Sequence, residues 1–470
     1  MATKAKAKAK AKAKAKAKIK AKAKNMSKKA AKPKKQASAP KKKVSIKQAR
    51  SKTKAAPKLA KTPKLAKTPK LAKAPKLAKA PKEKAVKEPV FKGTIPLGNP
   101  GKLFMEIWNP KLESFFMGIK KLFSDYLVPG TTDKQREENG SQIIEKIEAM
   151  LRKEPLDAGI IEQLAERFPK ERIHQIASIM SMKPRSTIRL NVIKADINGF
   201  AQSKAADDLK IKRCQYSPWA FDLPANINPT DHPAFEKGLY ELEDESSQLA
   251  SLMANARAGQ RVLDMSARDG DHTLTLAAMM KNKGSIFVYD SDPMKLKILK
   301  QRAQKAGVDN IRILTDTQVG EVKGLDIVLI DAPCSGSGSL ARQPELKWRF
   351  KKDDLPKLQK LQAALIREGA RKLKLGGRLI YVTTSLNRSE NEAQIDHFMR
   401  QSHNSYRVVP ALGYFKECVV PYIKNFFGQT LTEEQIQSFA EADPFMLISP
   451  DVHGCNGMFI AIIERIRISN

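Results

Sequence analysis

An α/β fold with a doubly wound parallel sheet is predicted for the C-terminal half of this 470-residue chain. Three observations carry the expectation. From about residue 241 onward, short apolar runs alternate with helical segments, the order that builds a parallel sheet covered on both faces. Three of those runs end in aspartate, at Asp264, Asp290 and Asp331, and Asp316 follows a fourth. The loop DAPCSGSGS, residues 331–339, joins a strand-end acid to a thiol and two glycines.

The chain exceeds one ordinary core, and its charge shows where to divide it. Up to Lys92 there are 35 lysines and arginines against Glu83 and Glu88, which leaves 52 basic and 47 acidic residues for everything after. Residues 4–24 are nearly strict Lys-Ala alternation, and residues 57–82 repeat the hexads PKLAKT and PKLAKA. Like charges four apart repel, and Pro57, Pro63, Pro69, Pro75 and Pro81 interrupt any helix, so residues 1–92 are expected to be a disordered basic tail. Such a polycation binds phosphate backbones by releasing counterions. Its repeats hold no aromatic side chain to stack on a base, so non-specific nucleic-acid binding is the expectation.

Cys214, Cys334, Cys418 and Cys455 show no metal-ligand or disulfide spacing, which fits a reducing, intracellular compartment and no metal. No apolar run follows the basic N-terminus as in a secretory signal, and none approaches the roughly 18 residues of a membrane span. A soluble monomer is expected. In a bacterium it would be cytoplasmic and associated with the ribosome or nucleoid; in a eukaryote it would be nuclear or nucleolar.

Between residues 93 and 183, apolar residues recur at three and four, as in Ile143, Ile144, Ile147, Met150 and Leu151, which predicts a helical region. After Pro184 the text changes to STIRLNVIKAD. Ile188, Leu190 and Val192 alternate with Arg189 and Asn191, the pattern of a half-buried strand with Arg189 and Asn191 on its exposed face.

In the C-terminal part, RVLD, SIFVYD, DNIRILTD, LDIVLID and GGRLIYVTTS read as strands, and ligands of such a sheet sit beyond their carboxyl ends. Asp290, 26 residues past Asp264, stands where an acid holds a ribose diol. The loop after the first strand has only Gly270 and no G-x-G-x-x-G, which argues against a dinucleotide and for a nucleoside without phosphates; adenosylmethionine is the candidate. In DAPCSGSGS, Gly336 and Gly338 would let backbone approach a ligand, and Cys334 is a candidate nucleophile or proton-relay group.

Together RLNVIKAD, LEDESSQLA, DAPCSGSG, ARQPELKWRF, LKLGGRLIYVTTSLNRSENE and SPDVHGCNGMFIAII resemble the Nop/Sun (RsmB-like) family of adenosylmethionine-dependent RNA cytosine-5 methyltransferases, over roughly residues 184–465. The resemblance implies a Rossmann-like class I methyltransferase sheet over residues 241–470. It also implies a small α+β RNA-binding module over residues 184–240, with Arg189 and Asn191 turned toward RNA. Structured ribosomal or transfer RNA is the implied partner. Ser266, Ala267, Gly270, His272, Asp290, Asp316 and Asp331 fall at its cofactor positions, with Asp331 and Cys334 also at the reaction centre.

Two departures stand out. The family attacks carbon 6 of the cytosine with a thiol in a Tyr-x-Thr-Cys-Ser-Leu string, and the matching residue in YVTTSL is Thr384. The family's cofactor loop Pro-Gly-Gly-Lys is here Asp269-Gly270-Asp271-His272, which adds a negative charge at a helix N-terminus meant for an anion. Two readings stay open: a methyltransferase in which Cys334 takes over the attack or the target atom is changed, and a catalytically inactive RNA-binding protein on the same fold.

Overall fold

The three-and-four spacing resolves into α1 (Ala158–Ala165) and α2 (Lys170–Met180). Asp157 caps α1 by accepting from the Gly159 N–H, an interaction worth about 1 kcal/mol. Ile160, Leu164, Ile173, Ile176 and Met180 join the apolar cluster that holds Val328, Leu379 and Phe459. This computed structural model describes residues 156–467, apart from residues 350, 428 and 429, together with Lys146, Ala149, Arg152 and Lys153. The tail expected over residues 1–92 and the apolar pattern of residues 143, 144, 147, 150 and 151 lie outside the described residues.

Next come β1 (Ser186–Leu190), β2 (Lys212–Arg213), β3 (Ala220–Leu223) and β4 (Tyr240–Leu242). They form an antiparallel sheet in the order β2-β3-β1-β4. Ile188, Leu190, Phe221 and Tyr240 share one apolar cluster with Leu249, Val262 and Leu274 of the region that follows, so this sheet packs directly onto the main one.

The main unit runs α3 (Glu245–Met253), β5 (Arg261–Asp264), α4 (Asp271–Met279), β6 (Ser285–Val288), α5 (Pro293–Ala306), β7 (Ile311–Ile313), α6 (Asp316–Glu321), β8 (Leu325–Asp331), α7 (Leu355–Lys372), β9 (Leu373–Thr383), α8 (Glu392–Gln401), β10 (Tyr406–Val409), β11 (Met446–Ile448) and β12 (Met458–Arg465). Its path is β10-β12-β9-β8-β5-β6-β7, with β11 paired to β12. The five strands from β9 to β7 are parallel, and β12 runs antiparallel to β9. β8 is a nearly unbroken apolar run because helices cover both its faces. The strand order reverses between β5 and β8, which places a ligand crevice at their carboxyl ends.

The reading of Arg189 and Asn191 as exposed RNA contacts is corrected here. Both are buried, at 1% and 2% exposure. Arg189 Nε pairs with Glu243, whose two carboxylate oxygens also accept from the Thr275 hydroxyl of α4 at 3.0 Å. Asn191 Nδ2 donates to the Gly238 and Ala306 carbonyls, both at 2.8 Å, which staples the small sheet to the end of α5. The alternation in STIRLN was read correctly as a strand. Its polar face, however, meets a second layer of protein instead of water.

Candidate active site

Two strand ends meet at the crevice. β8 runs out through Asp331 into the Pro333-Cys334 loop, and β9 runs out into Thr384. Cys334 Sγ and Thr384 Oγ1 are hydrogen-bonded at 3.4 Å, so the two residues singled out from the sequence are neighbours. Burial pushes the Cys334 thiol up to about 12, with the Glu390 charge adding to the effect. Among the described residues no histidine or carboxylate hydrogen-bonds either group. Among the described residues, then, neither the thiol nor the hydroxyl has a hydrogen-bonded base to take its proton.

The two loops are tied together by Glu390, which is fully buried. Its carboxylate accepts from the Ser335 N–H (2.9 Å) and hydroxyl (2.6 Å), the Ser385 hydroxyl (2.6 Å), the Gln362 amide (3.1 Å) and the Asn387 amide (3.0 Å). Sequence reasoning passed over Glu390. The signal was present in the buried acid of SLNRSENE among small hydroxyl and amide side chains, which could only be satisfied inside a network.

The glycines of DAPCSGSGS serve packing. Gly336 lies in the left-handed region at φ +71°, and a Cβ there would stand 2.6 Å from Leu346. A Cβ on Gly338 would stand 2.4 Å from the Gly457 carbonyl, where the loop and the start of β12 exchange backbone contacts. The expected approach of ligand to these glycines is therefore replaced by approach of chain to chain.

On the other side of the crevice, β5 ends in Asp264. It is wholly buried, with Oδ2 accepting from the Thr273 hydroxyl at 2.6 Å and Oδ1 left without a partner. Burial pushes its carboxyl up to about 6, against the opposing effect of His272 and the Thr273 hydroxyl. Its folded value thus lies above the unfolded one, so its contribution to stability is present below about pH 4 and is lost as pH rises through about 6. Asp264→Asn is expected to raise the unfolding free energy by about 2–3 kcal/mol at pH 8 and to leave it nearly unchanged at pH 4, measured by urea denaturation at both values.

The loop between β5 and α4 carries Ser266, Ala267, Arg268 and Gly270. Gly270 is the N-cap of α4 at φ +103°, and no side chain caps the helix. Arg268 sits in the left-handed region (φ 51°); its N–H donates to Asp290 Oδ2 at 2.8 Å, and its guanidinium reaches Asp331 at 3.4 Å. His272 is buried, bonded to the Ser251 hydroxyl at 2.8 Å and 3.8 Å from Asp331, so its ring is held inside the fold. Asp271 is paired with Arg302 at 2.8 Å, which neutralises the extra charge read from the sequence. Asp290 is half-buried and keeps acceptor capacity on both oxygens. Asp316 is exposed in the first turn of α6 and accepts from the Tyr289 hydroxyl at 3.0 Å.

A cavity of about 370 Å³ opens here. Ala267, Arg268, Asp271, His272, Asp331 and Thr384 line it from the main sheet, and Ser186 and Thr187 line it from the small one. Ser266, Gly270, Asp290, Asp316 and Cys334 lie outside its lining. Arg342 closes one side, held to Asp244 at 2.8 Å and to the Arg185 carbonyl at 2.9 Å.

A parallel sheet with acids at its strand ends, an uncapped helix facing them and an antiparallel closing strand defines a Rossmann-like fold of the methyltransferase type. Residues 251–464 match the family model described as 16S rRNA methyltransferase RsmB/F, so this part of the chain is similar to that family. The chain is 29% identical over 311 residues to the probable ribosomal RNA small subunit methyltransferase B of Bacillus subtilis (strain 168), a match covering 65% of each chain. It is 29% identical over 293 residues to the ribosomal RNA small subunit methyltransferase F of Escherichia coli O1:K1, covering 60% of this chain and 57% of the relative. The match thus spans less than two thirds of these relatives. Among solved structures, a methyltransferase homolog protein from Pyrococcus horikoshii superimposes with a TM-score of 0.52 at 26% identity, covering 66% of this chain and all of that one. NSun6 from Pyrococcus horikoshii, with SFG, shares the fold at 17% identity, with a TM-score of 0.54 and coverage of 66% and 99%. Among the described residues no helix is long and apolar enough to cross a membrane.

Proposed function

We propose that this chain is an adenosylmethionine-dependent methyltransferase directed at structured ribosomal RNA. The observation that carries the reading is the shared cavity, lined at once by Asp331 and Thr384 at neighbouring strand ends and by Ser186 and Thr187 of the small sheet. A nucleotide entering from the small sheet would meet both strand ends. Residues 1–92 add sequence-independent affinity through their charge.

The residues present fit the cofactor. Asp264 Oδ1 is a buried acceptor without a donor, suited to an ammonium group. The uncapped N-terminus of α4 offers N–H groups to a carboxylate. Asp290, with acceptor capacity left on both oxygens, suits a ribose diol, and Asp316 beside Tyr289 lies at the outer edge. When bound, the cofactor supplies an electrophilic methyl group.

At the reacting end, Thr384 holds a hydroxyl where the resemblance puts the attacking thiol. Without a base it stays protonated and serves as a hydrogen-bond partner to Cys334. Cys334 is then the thiol left to attack, and because burial favours its protonated form it must give up that proton to water or to the bound RNA before sulfur can add to the base. Thr384 and the high position of the Cys334 thiol favour a second reading, in which RNA is bound and not methylated.

Tritiated-methyl transfer to unmodified ribosomal RNA, compared between the wild type and Cys334→Ala, separates the two. The enzyme reading expects transfer by the wild type and a fall on the order of 10²-fold or more in the variant. Binding of the RNA with no transfer above background would establish the second reading.

A further inference from the structure

We infer that Arg302 of α5 is a positioning residue for the cofactor loop. It holds the carboxylates of Asp269 and Asp271 off the N-terminal N–H groups of α4 and so keeps that helix end open to a carboxylate ligand. The inference rests on the cofactor reading above and goes beyond it, because it assigns the helix end to a particular lock.

Every nitrogen of the Arg302 guanidinium is committed. Nε donates to Glu241 Oε2 at 3.1 Å. Nη1 donates to the Asp269 carbonyl at 3.0 Å and lies 3.2 Å from its Oδ2, and Nη2 is 2.8 Å from Asp271 Oδ1. Asp269 and Asp271 flank Gly270, the N-cap of α4. Short acidic side chains at this place ordinarily turn back onto the free N–H groups of their own helix. Here no side chain caps α4, and the acid in its first turn is engaged with α5 instead.

The geometry explains how a loop with two acids around its one glycine can still receive an anion. The charge of Asp271 is spent on Arg302, and the N–H groups stay free. Only a planar fork with five donors can join three acids at once, so a lysine cannot reproduce the arrangement. Lys305, 3.8 Å from Glu241, is a second cation on the same helix and keeps that buried acid compensated.

The test is calorimetric titration of the full chain with adenosylmethionine, adenosylhomocysteine and methylthioadenosine, the last of which lacks the carboxylate. Arg302→Met is expected to weaken the first two about 10-fold and to leave the third within about 2-fold, since only the carboxylate end is exposed to the freed acid. Adding Asp271→Asn to Arg302→Met should recover most of the loss. Arg302→Lys, which leaves a cation beside Glu241, serves if the methionine variant fails to fold and should shift the same two ligands in the same direction. Unchanged affinities, or equal weakening of all three ligands, would overturn the role of Arg302 while leaving the cofactor reading intact. A wild type that binds none of the three would overturn the cofactor reading itself, and this inference with it.

Discussion

Replacing Thr384 with cysteine is expected to raise methyl transfer to ribosomal RNA on the order of 10³-fold over the wild type. The hydroxyl of Thr384 is a poor nucleophile at neutral pH, whereas a thiol is intrinsically far more nucleophilic and loses its proton more readily. The surrounding frame is already in place. β9 delivers residue 384 to the cavity, Gly338 donates its N–H to the Thr384 carbonyl at 2.8 Å, and Glu390 locks the two loops together. Because Cys334 Sγ is 3.4 Å from the Thr384 hydroxyl, the variant should be assayed in reductant to keep the two thiols from oxidising. Digestion of the product RNA and mass spectrometry of its nucleosides reads the result. A variant that binds cofactor and RNA yet gains no transfer would show that the strand end is not aligned for attack.

The second large effect concerns Arg189. Its guanidinium and the Glu243 carboxylate are both inside the protein, at 1% and 0% side-chain exposure. Burial pushes Glu243 up to about 7 in spite of the opposing Arg189 charge, so the acid depends on its partner to remain ionised at neutral pH. Removing one partner of such a pair leaves an uncompensated buried group. Arg189→Ala is accordingly expected to lower the unfolding free energy by about 3–5 kcal/mol in urea denaturation at pH 8. Arg189→Met combined with Glu243→Leu should recover most of that loss, because an apolar pair of similar volume needs no desolvation of charge. An exposed RNA contact would behave otherwise: full stability with weakened RNA affinity.

The parts of the fold visible in the sequence were those set by local periodicity and strand-end chemistry. Asp264 and Asp331 are the last residues of β5 and β8, as the apolar runs indicated. Cys334 and Thr384, 50 residues apart in the chain, meet across one hydrogen bond, which the family resemblance anticipated and spacing alone could not. What remained hidden depends on long-range partners. Arg189 looked exposed because its partner lies 54 residues away, and an alternating strand reads the same whether its polar face meets water or a buried acid. Asp271 looked like a defect in the cofactor loop until α5 brought Arg302 to it, 31 residues on. Gly336 and Gly338 signal close approach, but the sequence does not say whether ligand or chain approaches.

The crevice between β5, β6 and α4 is the proposed site of adenosylmethionine. The most direct test is calorimetric titration of the full chain with adenosylmethionine, paired with thermal unfolding in its presence. Binding in about the micromolar range, with an upward shift of the unfolding midpoint, is the predicted result. No heat and no thermal protection at about millimolar ligand would contradict the account and leave an RNA-binding protein on a methyltransferase fold.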